Sequence, residues 1–72
     1  MIEPVWLAWP VGAKVTIRRR LAEGGFADTV GLLEAASAEF VAVRHRSGEL
    51  RRIEADSIAI AHLVERPPDP AH

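Results

Sequence analysis

Arginine is the residue whose number and spacing in this sequence could support binding chemistry. Eight of the nine Lys and Arg residues lie between Lys14 and Arg52. A guanidinium presents a planar set of donors that matches carboxylates and phosphates, so clustered arginines predict contact with an anion or an acidic partner. The candidate residues for such contact are Arg18, Arg20, Arg44, Arg46, Arg51 and Arg52.

The overall charge limits what these arginines could bind. Nine cations are set against ten Asp and Glu residues, which gives a formal net charge of −1. Bulk charge therefore predicts no attraction to nucleic acid or membrane, and nucleic-acid binding through the arginines would be weak. We expect protein carboxylates as the partner ahead of DNA. The alternative is a solvated face neutralised by nearby glutamates, namely Glu23, Glu34, Glu39, Glu49 and Glu54.

No arrangement of residues predicts catalysis, a cofactor or a metal ion. The sequence has no cysteine, and its histidines, His45, His62 and His72, lack the spacing of a metal site. Asp28 and Asp56 are interpreted as turn or capping residues and form no acid–base pair. We therefore expect no catalytic, cofactor-binding or metal-binding residue.

The first strand is predicted over residues 14–21, where apolar and cationic side chains alternate. Side chains on a strand point to opposite faces in turn, so this pattern predicts an apolar face backed by a cationic one. The paired glycines Gly24 and Gly25 then predict a loop over residues 22–28. The apolar face holds Val15, Ile17 and Leu21, and the cationic face holds Lys14, Thr16, Arg18 and Arg20.

Residues 29–46 allow two interpretations. Residues 32–36 favour a helix by propensity, and that helix could continue to near Gly48. The β-branched and aromatic run at residues 40–43, which leads into Ser47-Gly48, favours strands and a hairpin. If Ser47 and Gly48 form a two-residue turn, Arg44 lies opposite Arg51, which is unfavourable unless an anion or a carboxylate intervenes.

The rest of the chain completes an all-β prediction. Residues 54–57 form a polar corner that would suit a single 3₁₀ turn, and residues 58–64 are apolar at both parities, which predicts a last strand covered on both faces. Five short strands with glycine loops predict a small, five-stranded, partly open barrel.

The predicted organisation is an N-terminal arm at residues 1–11, a barrel at 12–65 and a Pro-rich linker or tail at 66–72. Trp6 and Trp9 could pack over an open end of the domain, offer a hydrophobic contact to a partner or lie in a flexible arm, and Phe26 is expected to plug the core. The arm lacks the pattern of a secretory signal, and no stretch approaches the ~20 apolar residues of a membrane span. Together with the absence of cysteine, this favours a cytoplasmic protein without membrane contact.

The spacing of glycine, apolar and arginine residues resembles a known module. The pattern consists of Val11-Gly12-x-x-Val15-x-Ile17-Arg18-x-Arg20-Leu21, then Gly25-x-x-Asp28-x-Val30-Gly31-x-Leu33, then Ser47-Gly48 and Ile53-x-x-x-Ser57-Ile58. It resembles the SH3-like N-terminal domain of actinobacterial GNAT-family N-acetyltransferases, the group that includes a mycobacterial histone acetyltransferase. The resemblance covers roughly residues 11–64.

The resemblance implies an accessory module. In that family a Pro-rich connection leads from the small barrel into an acetyl-CoA-binding domain, so the implied partner is a tethered acetyltransferase domain or another protein. The implied role is non-catalytic help in recognising a substrate or partner. Gly24-Gly25 lacks the spacing and the following helix of an acetyl-CoA pyrophosphate loop, so we expect no acetyltransferase activity and no cofactor in this sequence alone.

Overall fold

A computed structural model describes residues 4–66, which form one antiparallel sheet of five strands. The all-β prediction is confirmed, since the described residues contain strands and two short 3₁₀ turns but no α-helix. In chain order the elements are a 3₁₀ turn at Val5–Ala8, β1 at Lys14–Arg20, β2 at Phe26–Ala36, β3 at Phe40–Arg44, β4 at Leu50–Glu54, a 3₁₀ turn at Ala55–Ser57 and β5 at Ile58–Glu65.

Strand β1 forms for the reason that its alternation predicts. Val15 and Ile17 are completely buried, while Lys14 and Arg18 on the other face are exposed. Full burial of one aliphatic side chain stabilises a fold by about 1.5–3 kcal/mol, so this inner face anchors the sheet. The strand ends one residue earlier than predicted, and Leu21 begins the loop to β2.

Strand β2 pairs with two neighbouring strands, and the strand order across the sheet is β4-β3-β2-β1-β5. Its first part pairs with β1, and from Leu32 onward it also pairs with β3. The register with β3 shifts between Leu33 and Ala35, which marks a bulge, and bulges bend strands. Gly31 lies at this crossing, where a Cβ would overlap the carbonyl oxygen of Arg44. The helix interpretation of residues 29–46 is therefore wrong, and this stretch is the second half of β2 followed by β3.

The hairpin between β3 and β4 is one residue longer than predicted. The Gly48 N–H donates to the carbonyl of His45 at 2.8 Å, and the His45 N–H donates to the carbonyl of Glu49 at 2.8 Å. Gly48 has φ 93°, in the left-handed region that glycine adopts readily. This is the pattern of a three-residue connection with a G1 bulge, not a two-residue turn.

The longer connection changes which residues face each other. Arg44 pairs with Leu50, and Arg51 pairs with Val43. Since neighbouring residues in a strand point to opposite faces, the two arginines lie on opposite faces of the sheet. The predicted Arg44–Arg51 like-charge pair is therefore wrong.

Strand β5 follows the predicted 3₁₀ turn, in which the Ser57 hydroxyl donates to the carbonyl of Glu54 at 2.7 Å. β5 pairs with β1, and its residues Ala61 and Leu63 pack against the core from one side. Ile60 and Val64 remain 47% and 54% exposed. The prediction that both faces of this strand are covered is wrong within the described part of the chain.

One tryptophan of the N-terminal arm belongs to the core. Trp6 is 8% exposed, and its indole N–H donates to the carbonyl of Ser37 at 2.7 Å. Trp9 is half-buried and packs against the same cluster, while Phe26 is 60% exposed, so its prediction as a core plug is wrong. The buried cluster consists of Trp6, Ala13, Val15, Ile17, Leu33, Val41, Val43 and Ile53.

Two further predictions concern the ends of the chain. Beyond residue 66 the predicted Pro-rich segment lies outside the described residues, as do the first three residues of the arm. Within residues 4–66, no helix has the length and apolar character needed to cross a membrane.

Candidate functional site

The six candidate arginines do not form one patch. Arg18 lies opposite Asp28 in the β1–β2 ladder and makes a two-pronged contact with its carboxylate, Nε to Oδ1 at 2.9 Å and Nη2 to Oδ2 at 3.2 Å. These hydrogen bonds hold the pKa of Asp28 below its ordinary value, and the same contact raises the pKa of Arg18. Asp28 is thus a strand residue and not the turn or capping residue that the sequence suggested.

The two arginines of β4 are also paired with carboxylates. Arg51 Nε lies 2.8 Å from Glu49 Oε1, and Arg52 Nε lies 3.2 Å from Glu54 Oε2. The guanidinium of Arg52 also stacks 4.1 Å above the centre of the Phe40 ring. Arg52 is therefore held by a carboxylate and an aromatic ring of its own domain.

Arg44 and Arg20 hold turns. Arg44 Nη1 donates to the carbonyl of Gly48 at 2.9 Å, and its Nη2 lies 3.5 Å from Glu34 Oε1. Arg20 Nη1 donates to the carbonyl of Asp56 at 3.4 Å. These contacts secure the β3–β4 connection and the 3₁₀ turn before β5.

Lys14 and Arg46 are two of the five cations, with Arg19, Arg20 and Arg66, that make no ion pair within residues 4–66. Among residues 4–66, no carboxylate oxygen lies within 4.0 Å of Lys14 or Arg46. Arg46 occupies the exposed tip of the β3–β4 hairpin, and Lys14 begins β1 on the outer face of the sheet. Both side chains are free to meet an external anion.

An open groove of about 810 Å³ is lined by these two cations and by two of the paired arginines, Arg44 and Arg51, which leave their strands on opposite faces of the sheet. Val30 and Leu32 are its large apolar residues, and they are 42% and 48% exposed. Its lining consists of Lys14, Asp28, Thr29, Val30, Gly31, Leu32, Arg44, His45, Arg46, Gly48 and Arg51. We call this site the basic groove, because four cationic side chains line it against the single carboxylate of Asp28.

The basic groove divides the predicted residues into two sets. It includes Arg44, Arg46 and Arg51, and it leaves out Arg18, Arg20 and Arg52. Lys14 is a groove residue that the candidate set omitted, although it shares the cationic face that β1 was predicted to have. Trp6 is buried in the core, which fits the alternative that it packs on its own domain better than the alternative that it contacts a partner.

The described histidines and acids form no metal centre. Among residues 4–66, no three His, Asp or Glu side chains come together as ligands. His45 instead closes the hairpin tip, where its Nδ1 accepts from the Ser47 backbone N–H at 3.2 Å and lies 2.9 Å from the Ser47 hydroxyl.

Comparison of the chain with protein-family models, with curated proteins and with solved structures gives no match.

Proposed function

We propose that this chain is a non-catalytic accessory module of the SH3-like class, which recognises an acidic segment of a protein partner through the basic groove. The observation that carries the proposal is the groove itself, which is lined by four cations, two large apolar side chains and one carboxylate. The module would act in the cytoplasm and would need no cofactor. The resemblance to the N-terminal domain of GNAT-family acetyltransferases makes a tethered acetyltransferase domain one such partner.

The strand connections support an SH3-like, partly open barrel. A bent second strand that pairs with β1 through its first part and with β3 through its last part divides the sheet into two halves. A single 3₁₀ turn then returns the chain from β4 to β5, which lies beside β1. A bulged strand shared by two halves is a general device for curling a small antiparallel sheet toward closure.

The composition of the groove favours an acidic protein segment. Lys14 and Arg46 are uncompensated within the described chain, so a carboxylate that approaches them gains an ion pair without breaking one. Val30 and Leu32 offer apolar contact between the charges. Apolar side chains bordered by polar and charged ones are the usual composition of a protein-binding surface.

Nucleic acid suits the same surface less well. Arg18, Arg44, Arg51 and Arg52 already contact carboxylates of their own chain. Phe40, the aromatic side chain nearest the hairpin arginines, is covered by a guanidinium and is not free to stack on a base.

A peptide titration tests the proposal. The probe is a fluorescein-labelled, end-blocked octapeptide of alternating Glu and Val, and its affinity is measured by fluorescence anisotropy. The Lys14→Gln/Arg46→Gln variant should bind it roughly 5- to 30-fold more weakly, since each lost exposed ion pair costs about 0.5–1 kcal/mol. A matched Arg20→Gln/Arg66→Gln variant removes the same charge outside the groove and should bind as the unaltered chain does.

Two results would count against the proposal. One is the absence of binding by the octapeptide. The other is equal weakening in both double variants, which would mean that the peptide senses overall charge and not the groove.

A further inference from the structure

The first part of β2 has an open edge beside the basic groove. β3 pairs with β2 only from Leu32 to Ala36, so residues 26–31 have β1 as their strand partner on one side and, among residues 4–66, no strand on the other. The open edge spans five to six residues, or about 17–20 Å at the rise of an extended strand.

The backbone direction along this edge follows from the hydrogen bonds of Leu33. The Leu33 N–H donates to the carbonyl of Ala13, and the Leu33 carbonyl accepts from the Gly12 N–H, both at 2.8 Å. The backbone groups of Leu33 therefore face the β1 side. Because successive residues of a strand turn their N–H and C=O to opposite edges, the groups of Asp28 and Val30 face the open edge.

These backbone groups are available for pairing. Within residues 4–66, no turn, loop or cap hydrogen bond engages the main chain of Asp28 or Val30, and both residues are exposed. Asp28, Thr29, Val30 and Gly31 also line the basic groove, so the edge and the cations belong to one surface. An unpaired strand edge is a ready template for another extended chain.

We propose that the partner binds by strand addition: an extended acidic segment pairs its main chain with Asp28 and Val30, while its carboxylates meet Lys14 and the hairpin-tip cation Arg46. This inference rests on the proposed function and specifies how the groove holds its partner. Main-chain pairing supplies affinity with little dependence on sequence, and the groove supplies the preference for acidic side chains.

Charge argues for an acidic segment over a second copy of this chain. Two copies that joined through this edge would bring two basic grooves together, and four cations line each one. Like charges across such an interface oppose association, whereas an acidic strand neutralises them.

Amide hydrogen exchange measured by NMR tests the mode of binding with the same Glu–Val octapeptide. Exchange at the Asp28 and Val30 amides should slow by about tenfold when roughly nine-tenths of the protein is bound. An octapeptide of the same sequence with every internal amide N-methylated keeps the charges but loses the donors, and it should lose binding. In the protein, Val30→Pro and Val30→Ala both lose the apolar side chain, but only Val30→Pro also removes an edge donor, so it should weaken binding clearly more than Val30→Ala does.

Each other outcome has a definite meaning. If the octapeptide binds through Lys14 and Arg46 but the N-methylated peptide binds equally well and the two amides gain no protection, strand addition is wrong and the proposed function stands. If the octapeptide does not bind, both proposals fail. If protection rises with protein concentration alone, the edge takes a second copy of the chain, and the acidic segment is the wrong occupant.

Discussion

At the scale of single residues, the fate of each arginine depends on which acid lies beside it in the sheet. Arg18 and Asp28 are ten positions apart in the sequence, yet they lie directly opposite in the β1–β2 ladder and meet through two hydrogen bonds. Arg52 takes its carboxylate from Glu54, two positions along β4, because side chains two apart on a strand share a face, and Arg51 takes its carboxylate from Glu49, directly before the strand. Of the four cations that line the basic groove, Lys14 and Arg46 have no such neighbour within the described chain, which is why they define the site.

The Arg18–Asp28 pair predicts a pH-dependent part of the stability. The hydrogen bonds from Arg18 lower the pKa of Asp28 in the folded state, so the pair stabilises the fold above the ordinary Asp value of about 3.9 and this contribution is lost as the pH falls through the lowered value. Urea denaturation should show Asp28→Asn to be less stable than the unaltered chain at pH 7, and the gap should close as the pH falls from about 4 toward 2.

The partner residue supplies the control for this pH effect. In an Arg18→Gln background the carboxylate has lost its donors, so Asp28→Asn should make little difference at either pH. A stability gap between the aspartate and asparagine forms that is as large at low pH as at neutral pH would contradict the assignment of the effect to this carboxylate.

At the scale of elements, the strands could be predicted from the sequence, but the register between them could not. Alternation identified β1 because Val15 and Ile17 face the core, and the polar corner before β5 predicted the 3₁₀ turn. The predicted β3–β4 register was wrong by one residue. The sequence Ser47-Gly48 is compatible both with a two-residue turn and with the end of a three-residue connection. Because of that single residue Arg44 and Arg51 do not face each other across the ladder, although both line the basic groove.

Residues 32–36 favour a helix by propensity, but long-range contacts hold them in strand β2. Leu33 is 1% exposed in the core, and the strand passes Arg44 at a distance that only Gly31 allows. Phe26, which was predicted to be buried, is instead exposed, and the Arg18 guanidinium lies 6.0 Å from the centre of its ring. Local sequence carries neither fact, because both depend on strands that are distant along the chain.

The crossing of β2 and β3 should therefore be sensitive to one methyl group. Gly31→Ala places a Cβ against the Arg44 carbonyl and the Val43 side chain, so the strands must separate or shift. We expect a loss of about 1–3 kcal/mol in the free energy of unfolding, measured by urea denaturation. Val30→Ala, one position away on the exposed face, is the control and should change stability by about 0.5 kcal/mol or less.

The stability of the Gly31→Ala variant tests how closely β2 and β3 approach each other. A Gly31→Ala variant as stable as the unaltered chain would mean that β2 and β3 do not approach as closely as the structure has them. It would also loosen the placement of Arg44 at the rim of the basic groove.

At the scale of the whole molecule, a small core on one side of the sheet is paired with a mixed surface on the other. Five exposed large apolar side chains of the strands lie on that surface with both signs of charge among them, namely Val30, Leu32, Leu50, Ile60 and Val64. The cations are spread over both faces, and the formal net charge is −1. Such a surface favours local recognition of a matched partner over long-range attraction to a polyanion.

DNA binding should accordingly be weak and should fall steeply with salt. If only Lys14 and Arg46, the two groove cations without an ion pair in the described chain, neutralise phosphates, log affinity should fall against log salt concentration with a slope of about −2. Labelled duplex and single-stranded DNA titrated at low and moderate salt measure this slope. The Arg44→Ala/Arg51→Ala variant is informative because those side chains line the groove but are held by Glu34 and Glu49, so it should change DNA affinity little. Tight binding that persists at moderate salt and is lost in that double variant would place nucleic-acid recognition ahead of acidic protein segments.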